Sequence, residues 1–65
     1  MNLVVNGRPS HSKGETVAEL LRELGFEANQ VAVALNLDFV PRSRYPDTRL
    51  SEGDRVEIVS PMQGG

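Results

Sequence analysis

The last five residues, Pro61-Met62-Gln63-Gly64-Gly65, carry no folding pattern of their own and are the stretch most suited to chemistry. At a rise of about 3.3–3.6 Å per residue they reach roughly 16–18 Å when extended, far enough to enter another protein's pocket. Gly64 and Gly65 have no side chains, so a terminal α-carboxylate can thread a narrow channel and be approached closely by a nucleotide or a nucleophile. A carboxylate is a poor electrophile until it becomes a mixed anhydride such as an acyl-adenylate, from which a sulfur or nitrogen nucleophile displaces AMP. The expected reactive group is therefore the Gly65 carboxylate. A frayed terminus also ends in glycine, so the rest of the chain must give this end its meaning.

The other chemistries are poorly supplied. His11 is the single histidine and there is no cysteine, which removes thiolate metal sites, disulfides and a cysteine nucleophile. Glu15, Glu19, Glu23 and Glu27 step by four, the spacing of a solvated helix face or an acidic patch for a basic partner, not of a general acid–base pair. Asp54 follows Gly53 in a turn signal, and no glycine-rich phosphate loop is present. The chain is not expected to be an enzyme, nor to bind a cofactor or a metal itself.

Composition bounds the rest. With 65 residues there is room for one domain with a small core and no deep cleft. Seven Lys/Arg against nine Asp/Glu leave a net charge of −2, against the basic footprint of nucleic-acid binding. Arg42, Arg44 and Arg49 do gather around Tyr45, which keeps a non-covalent RNA-binding module as a minor alternative. The longest apolar run, Val31–Leu35, is too short to span a bilayer, and no basic residue precedes Arg8 as a signal peptide requires. No membrane association is expected. Together with the missing cysteine this leads to the expectation of a cytoplasmic protein.

The elements that must position the end are readable. Leu3-Val4-Val5 runs into Asn6-Gly7, the strongest two-residue hairpin signal, and the returning polar segment with Pro9 suits an edge strand. Thr16 and Glu19 have capping-box spacing, and Val17, Leu20, Leu21 and Leu24 form one apolar stripe that Gly25 terminates. Val31 to Leu35 reads as a central strand, with the side that meets the helix left open. A mostly irregular connection anchored by Leu50 leads to the turn Ser51–Asp54 and a last strand, Arg55–Val59. Hairpin, helix, strand, connection and strand make an α+β fold, with one helix on a mixed four- to five-stranded sheet. If the first and last strands pair in parallel at the centre, it is the ubiquitin-like β-grasp. Residues 1–60 form the domain and 61–65 a flexible tail.

At this point the sequence resembles the sulfur-carrier proteins of thiamin biosynthesis, the ThiS family of β-grasp proteins ending in Gly-Gly. The likeness runs through Val5-Asn6-Gly7, Thr16-Val17-Ala18-Glu19-Leu20-Leu21, Val31-Ala32-Val33-Ala34-Leu35-Asn36, Phe39-Val40-Pro41-Arg42, Leu50-Ser51-Glu52-Gly53-Asp54 and Val56-Glu57-Ile58-Val59 to Gly64-Gly65. One departure is Leu37, where many relatives have glycine after the strand-ending asparagine. The resemblance implies that an adenylating enzyme of the ubiquitin-activating type, using ATP and Mg, activates Gly65. A cysteine desulfurase or sulfurtransferase relay then supplies sulfur, and the thiocarboxylate passes it to thiazole synthase. It also implies that Gly64, Gln63 and Met62 line the access channel, and that Val33 and Leu35 with Phe39 and Val40 form the docking face. Carriers for molybdopterin synthesis or tRNA thiolation, and ubiquitin-like modifiers, share the fold and the end and stand as alternatives.

Overall fold

A computed structural model describes residues 1–60, and the sequence-predicted tail, 61–65, lies outside the described residues. Strand β1 (Asn2–Val5) turns through Asn6 and Gly7 into β2 (Arg8–His11), and helix α1 (Val17–Leu24) follows. A short 3₁₀ turn leads into β3 (Ala32–Leu35), which hairpins into β4 (Asp38–Val40). A second 3₁₀ helix, Arg42–Asp47, precedes β5 (Arg55–Val59). The sheet has five strands in the order β2-β1-β5-β3-β4, with β5 parallel to β1 and antiparallel to β3. This is the β-grasp arrangement, and the strand at its centre is the last one. The predicted middle strand is internal but sits one place off centre.

Local chemistry accounts for each element. Asn6 and Gly7 take φ of 51° and 80°, the paired positive values of a type I′ hairpin turn. At the helix start Thr16 Oγ1 accepts from Glu19 N–H, 3.2 Å away, as the capping box predicts. The reciprocal arm differs: the Glu19 carboxylate accepts from the N–H of Glu15, one residue before the cap. At the other end Gly25, at φ 84°, donates its N–H back to the last turn of α1.

Val17, Leu20 and Leu21 of α1 pack on Leu3, Val33, Val40, Val56 and Ile58 from the sheet, all buried. Tyr45 closes one end of this core, its hydroxyl donating to the Val31 carbonyl at 3.0 Å. The helix is too short to hold its shape alone, and burial of its leucines, worth about 1.5–3 kcal/mol for each full side chain, holds it on the sheet.

Two features depart from the sequence reading. The stretch expected to be mostly irregular contains β4 and the 3₁₀ helix at 42–47. The predicted solvated face of glutamates is partly engaged. Glu23 accepts from the buried Ser12 hydroxyl at 2.5 Å and from Lys13 N–H, and Glu15 pairs with Arg49 at 2.7 Å.

The Ser12 hydrogen bond first, and the Lys13 N–H second, hold the Glu23 carboxyl below its ordinary value of 4.5. A carboxyl depressed in the folded state contributes stability that is complete above the unfolded value and is lost as pH falls through the folded one. The urea midpoint of the wild-type chain is therefore expected to exceed that of Glu23→Gln at about pH 7, with the gap shrinking as the pH is lowered through and below the ordinary carboxylate range. A constant gap would refute this assignment.

Asn36 and Leu37, at φ 51° and 75°, form a second type I′ turn, with leucine where the geometry calls for glycine. The departure noted in the sequence thus leaves the turn unchanged and strains Leu37, whose side chain is 83% exposed and gains little from packing. The left-handed region costs such a residue about 1–2 kcal/mol, whereas glycine adds about 0.5–1 kcal/mol of unfolded-chain entropy. Leu37→Gly is expected to raise stability by about 0.5–1 kcal/mol with an unchanged denaturant slope; a loss of stability would contradict the strain.

Candidate functional site

Side chains along a strand alternate between faces. With Leu3, Val33, Val40, Val56 and Ile58 turned to the helix, the opposite face of the sheet carries Val4, Ala32, Ala34, Phe39, Arg55, Glu57 and Val59. The register aligns Ala34 with Phe39 on one side and Glu57 on the other, and Ala32 with Val59. Small alanines between Phe39, 71% exposed, and Val59, 60% exposed, leave a shallow apolar surface with charge at its border. Leu37 stands exposed at the tip of the same β3–β4 hairpin. This face ends where β5 hands the chain to Ser60 and then to the Gly-Gly segment.

The structure divides the predicted docking residues. Phe39 is where the sequence expectation puts it, on the open face. Val33 and Val40 are 1% and 6% exposed, in the core, and Leu35 packs against that core, so these three belong to the helix side. The reason is the alternation itself: the larger side chains of β3 fill the core, and its alanines face outward. Ala32, Ala34 and Val59 are the surface members that the sequence reading left out. Choosing the smaller set as the free one would have found the two alanines.

Tyr45 lies 2% exposed in the core, which removes the aromatic platform on which the RNA-binding alternative rested. Arg49 is paired with Glu15. His11 is exposed and meets only Asn2 Oδ1, at 3.4 Å, and no group of three metal-ligating side chains occurs among the described residues. No helix among them is long and apolar enough to cross a membrane. Met62, Gln63, Gly64 and Gly65 lie outside the described residues.

On its β1 side, the last part of β5 is held by one side chain. Along β1 and β5 the Val4 and Asn6 N–H groups donate to the Asp54 and Val56 carbonyls at 2.9 and 2.8 Å. The chain then turns away at Gly7, and the next position on β5 is served by the Asn6 amide. Its Oδ1 accepts from Ile58 N–H at 2.7 Å and its Nδ2 donates to the Ile58 carbonyl at 3.2 Å.

The open face makes a simple separation of roles testable. Phe39→Ala is expected to change stability by no more than about 0.5 kcal/mol, while Val33→Ala costs about 2 kcal/mol through lost burial and a cavity. Comparable losses in chemical denaturation would mean that Phe39 is part of the core.

The ThiS family model matches residues 3–65 of the chain, through Gly64 and Gly65. The chain is similar to the sulfur carrier protein ThiS of Thermus thermophilus, 44% identical over 94% of this chain and 95% of that protein. It is equally similar, at 44% identity, to a thiazole synthase of Paramagnetospirillum magneticum; there all of this chain corresponds to 20% of the larger protein. A crystal structure of the thiamine biosynthesis protein (ThiS) from Geobacter metallireducens superposes with a TM-score of 0.84 at 40% identity, covering 100% of both chains.

Proposed function

The chain belongs to the ThiS family, the sulfur carriers of thiamine biosynthesis, and from that premise we propose that its Gly65 carboxylate is the group that carries the sulfur. The protein is a carrier and not a catalyst, and the reaction sequence follows from the chemistry of its end. A Gly65 carboxylate oxygen attacks the α-phosphorus of ATP on an adenylating enzyme of the ubiquitin-activating type, releasing pyrophosphate and leaving an acyl-adenylate. Magnesium belongs to that enzyme and its ATP. The outer sulfur of a cysteine persulfide, delivered by a cysteine desulfurase or sulfurtransferase relay, attacks the Gly65 carbonyl carbon and AMP leaves; a second thiol then attacks the donor cysteine's sulfur in the resulting acyl disulfide, forming a disulfide with the donor and releasing the terminal thiocarboxylate. Thiazole synthase takes that sulfur into the thiazole.

Gly64 gives the terminus side-chain-free passage, and Gln63 and Met62 follow it into the partner's channel. The open face around Phe39, Ala34 and Val59 docks, because apolar surface on so small a domain gains from being covered. The observation that carries this reading is the family match running the length of the chain into Gly64-Gly65. Thiazole synthase as the acceptor is supported by the protein of that name that holds a segment similar to this whole chain within a fifth of its length. As for place in the cell, a thiocarboxylate released by thiol reduction needs reducing surroundings, and we assign the carrier to the cytoplasm on that ground.

The test is reconstitution with the adenylating enzyme, ATP, Mg and a sulfur donor, read by intact mass. Replacement of one oxygen by one sulfur is expected in the wild-type chain and not after deletion of Gly65, and Gly64→Val is expected to lower the yield at least tenfold (about 1.4 kcal/mol). All three chains should unfold alike, since terminal residues contribute little stability. A Gly65 deletion that still acquires sulfur, or a thiocarboxylate that thiazole synthase does not use, would overturn the assignment.

A further inference from the structure

We infer that Asn6 is a positioning residue for the Gly65 carboxylate: its side-chain amide stands in for a missing peptide of β1 and fixes the point where the chain leaves the sheet. The inference rests on the carrier reading above and concerns a residue 59 positions away from Gly65 in the sequence.

A parallel ladder repeats its hydrogen bonds at even spacing. After Asn6 N–H donates to the Val56 carbonyl, the next bonds on that side of β5 belong to the N–H and carbonyl of Ile58, but β1 ends at Val5 and the hairpin carries the chain away. Both Ile58 groups are partly buried, and both are taken by the single amide of Asn6, at 2.7 and 3.2 Å. An amide has the same acceptor and donor as a peptide, so the side chain continues the ladder by one step. Asn6 reaches this place because its backbone sits at φ 51°, a turn conformation that asparagine tolerates well.

The consequence is mechanical. With the clamp in place, β5 is held on its β1 side as far as Ile58, and on its β3 side Ala32 pairs with Val59. Without it, the β1 side of β5 is held only as far as Val56. The end of β5 is then held by β3 alone, and when it opens the chain between the last bonded residue and Gly65 lengthens from the six residues 60–65 toward the nine residues 57–65. The effective concentration of a tethered group falls roughly as the −3/2 power of tether length, so delivery of the carboxylate is expected to fall about twofold. Asn36 supplies a matched control: it occupies the same position in the other type I′ turn, and its Oδ1 accepts from Arg55 N–H at 2.9 Å, at the opposite end of β5.

The experiment compares wild type, Asn6→Gly and Asn36→Gly in ATP–pyrophosphate exchange with the adenylating enzyme, at a temperature where circular dichroism shows each one folded. Glycine keeps both turns and removes only the amides. Asn6→Gly is expected to lower kcat/KM about twofold with Asn36→Gly unchanged, and to raise the backbone mobility of Val59 and Ser60 in nitrogen relaxation. Asn6→Asp, which keeps the acceptor for Ile58 N–H and loses the donor, is a second variant expected to fall between wild type and Asn6→Gly. If the wild-type chain is adenylated and Asn6→Gly matches it, or if both glycine variants fall equally, the positioning role is overturned. If the wild-type chain is not adenylated at all, the carrier reading falls and this inference with it.

Discussion

Everything in this domain depends on one strand being fully hydrogen-bonded by neighbours that are too short to do it. β5 lies at the centre of the sheet, its inward side chains Val56 and Ile58 at the middle of the core. Yet β1 pairs with only its first residues before turning away, and β3 leaves it at Leu35. Buried backbone groups without partners are expensive. The chain meets the shortfall with the amides of Asn6 and Asn36, one at each end of β5, each taken from the first position of a type I′ turn. The same residue thus turns a hairpin and completes the central ladder, an economy that suits a domain of 65 residues.

That arrangement separates two tasks. The helix side of the sheet is spent entirely on stability, with Leu20 and Leu21 over Val33, Val56 and Ile58. The other side is left as a shallow apolar surface around Phe39, Ala34 and Val59. Because β5 is both the centre of the sheet and the last element, this surface and the departing chain share one strand. A partner that covers the face meets the root of the Gly-Gly segment at its border.

Much of this was legible in the sequence, for local reasons. Asn6-Gly7, the Thr16 cap, the apolar stripe and Gly25 act over a few residues and appear in the structure where they were expected, except that the Glu19 carboxylate serves Glu15 N–H and that Leu24, the last member of the stripe, is exposed. What was not legible depends on contacts across the chain. The outward side of β3 is set by which side chains fill the core, and periodicity alone cannot show that. Hence Val33 and Val40 were expected at the surface and lie buried. Tyr45 was read beside its arginine neighbours, while its role is set by Val31, 14 positions earlier. The amide clamps join residues up to 52 positions apart, and nothing in Asn-Gly beyond the turn announces them.

The central claim is that sulfur travels on the terminal carbonyl carbon of Gly65 and on no side chain. The most direct measurement supplies labelled sulfur to the reconstituted system, cleaves the carrier after Arg55 and locates the label. All of it is expected in the peptide Val56–Gly65, at its terminal residue, and to pass from there into the thiazole when thiazole synthase is added. Label in any other peptide, or label at Gly65 that never reaches the thiazole, would contradict the account.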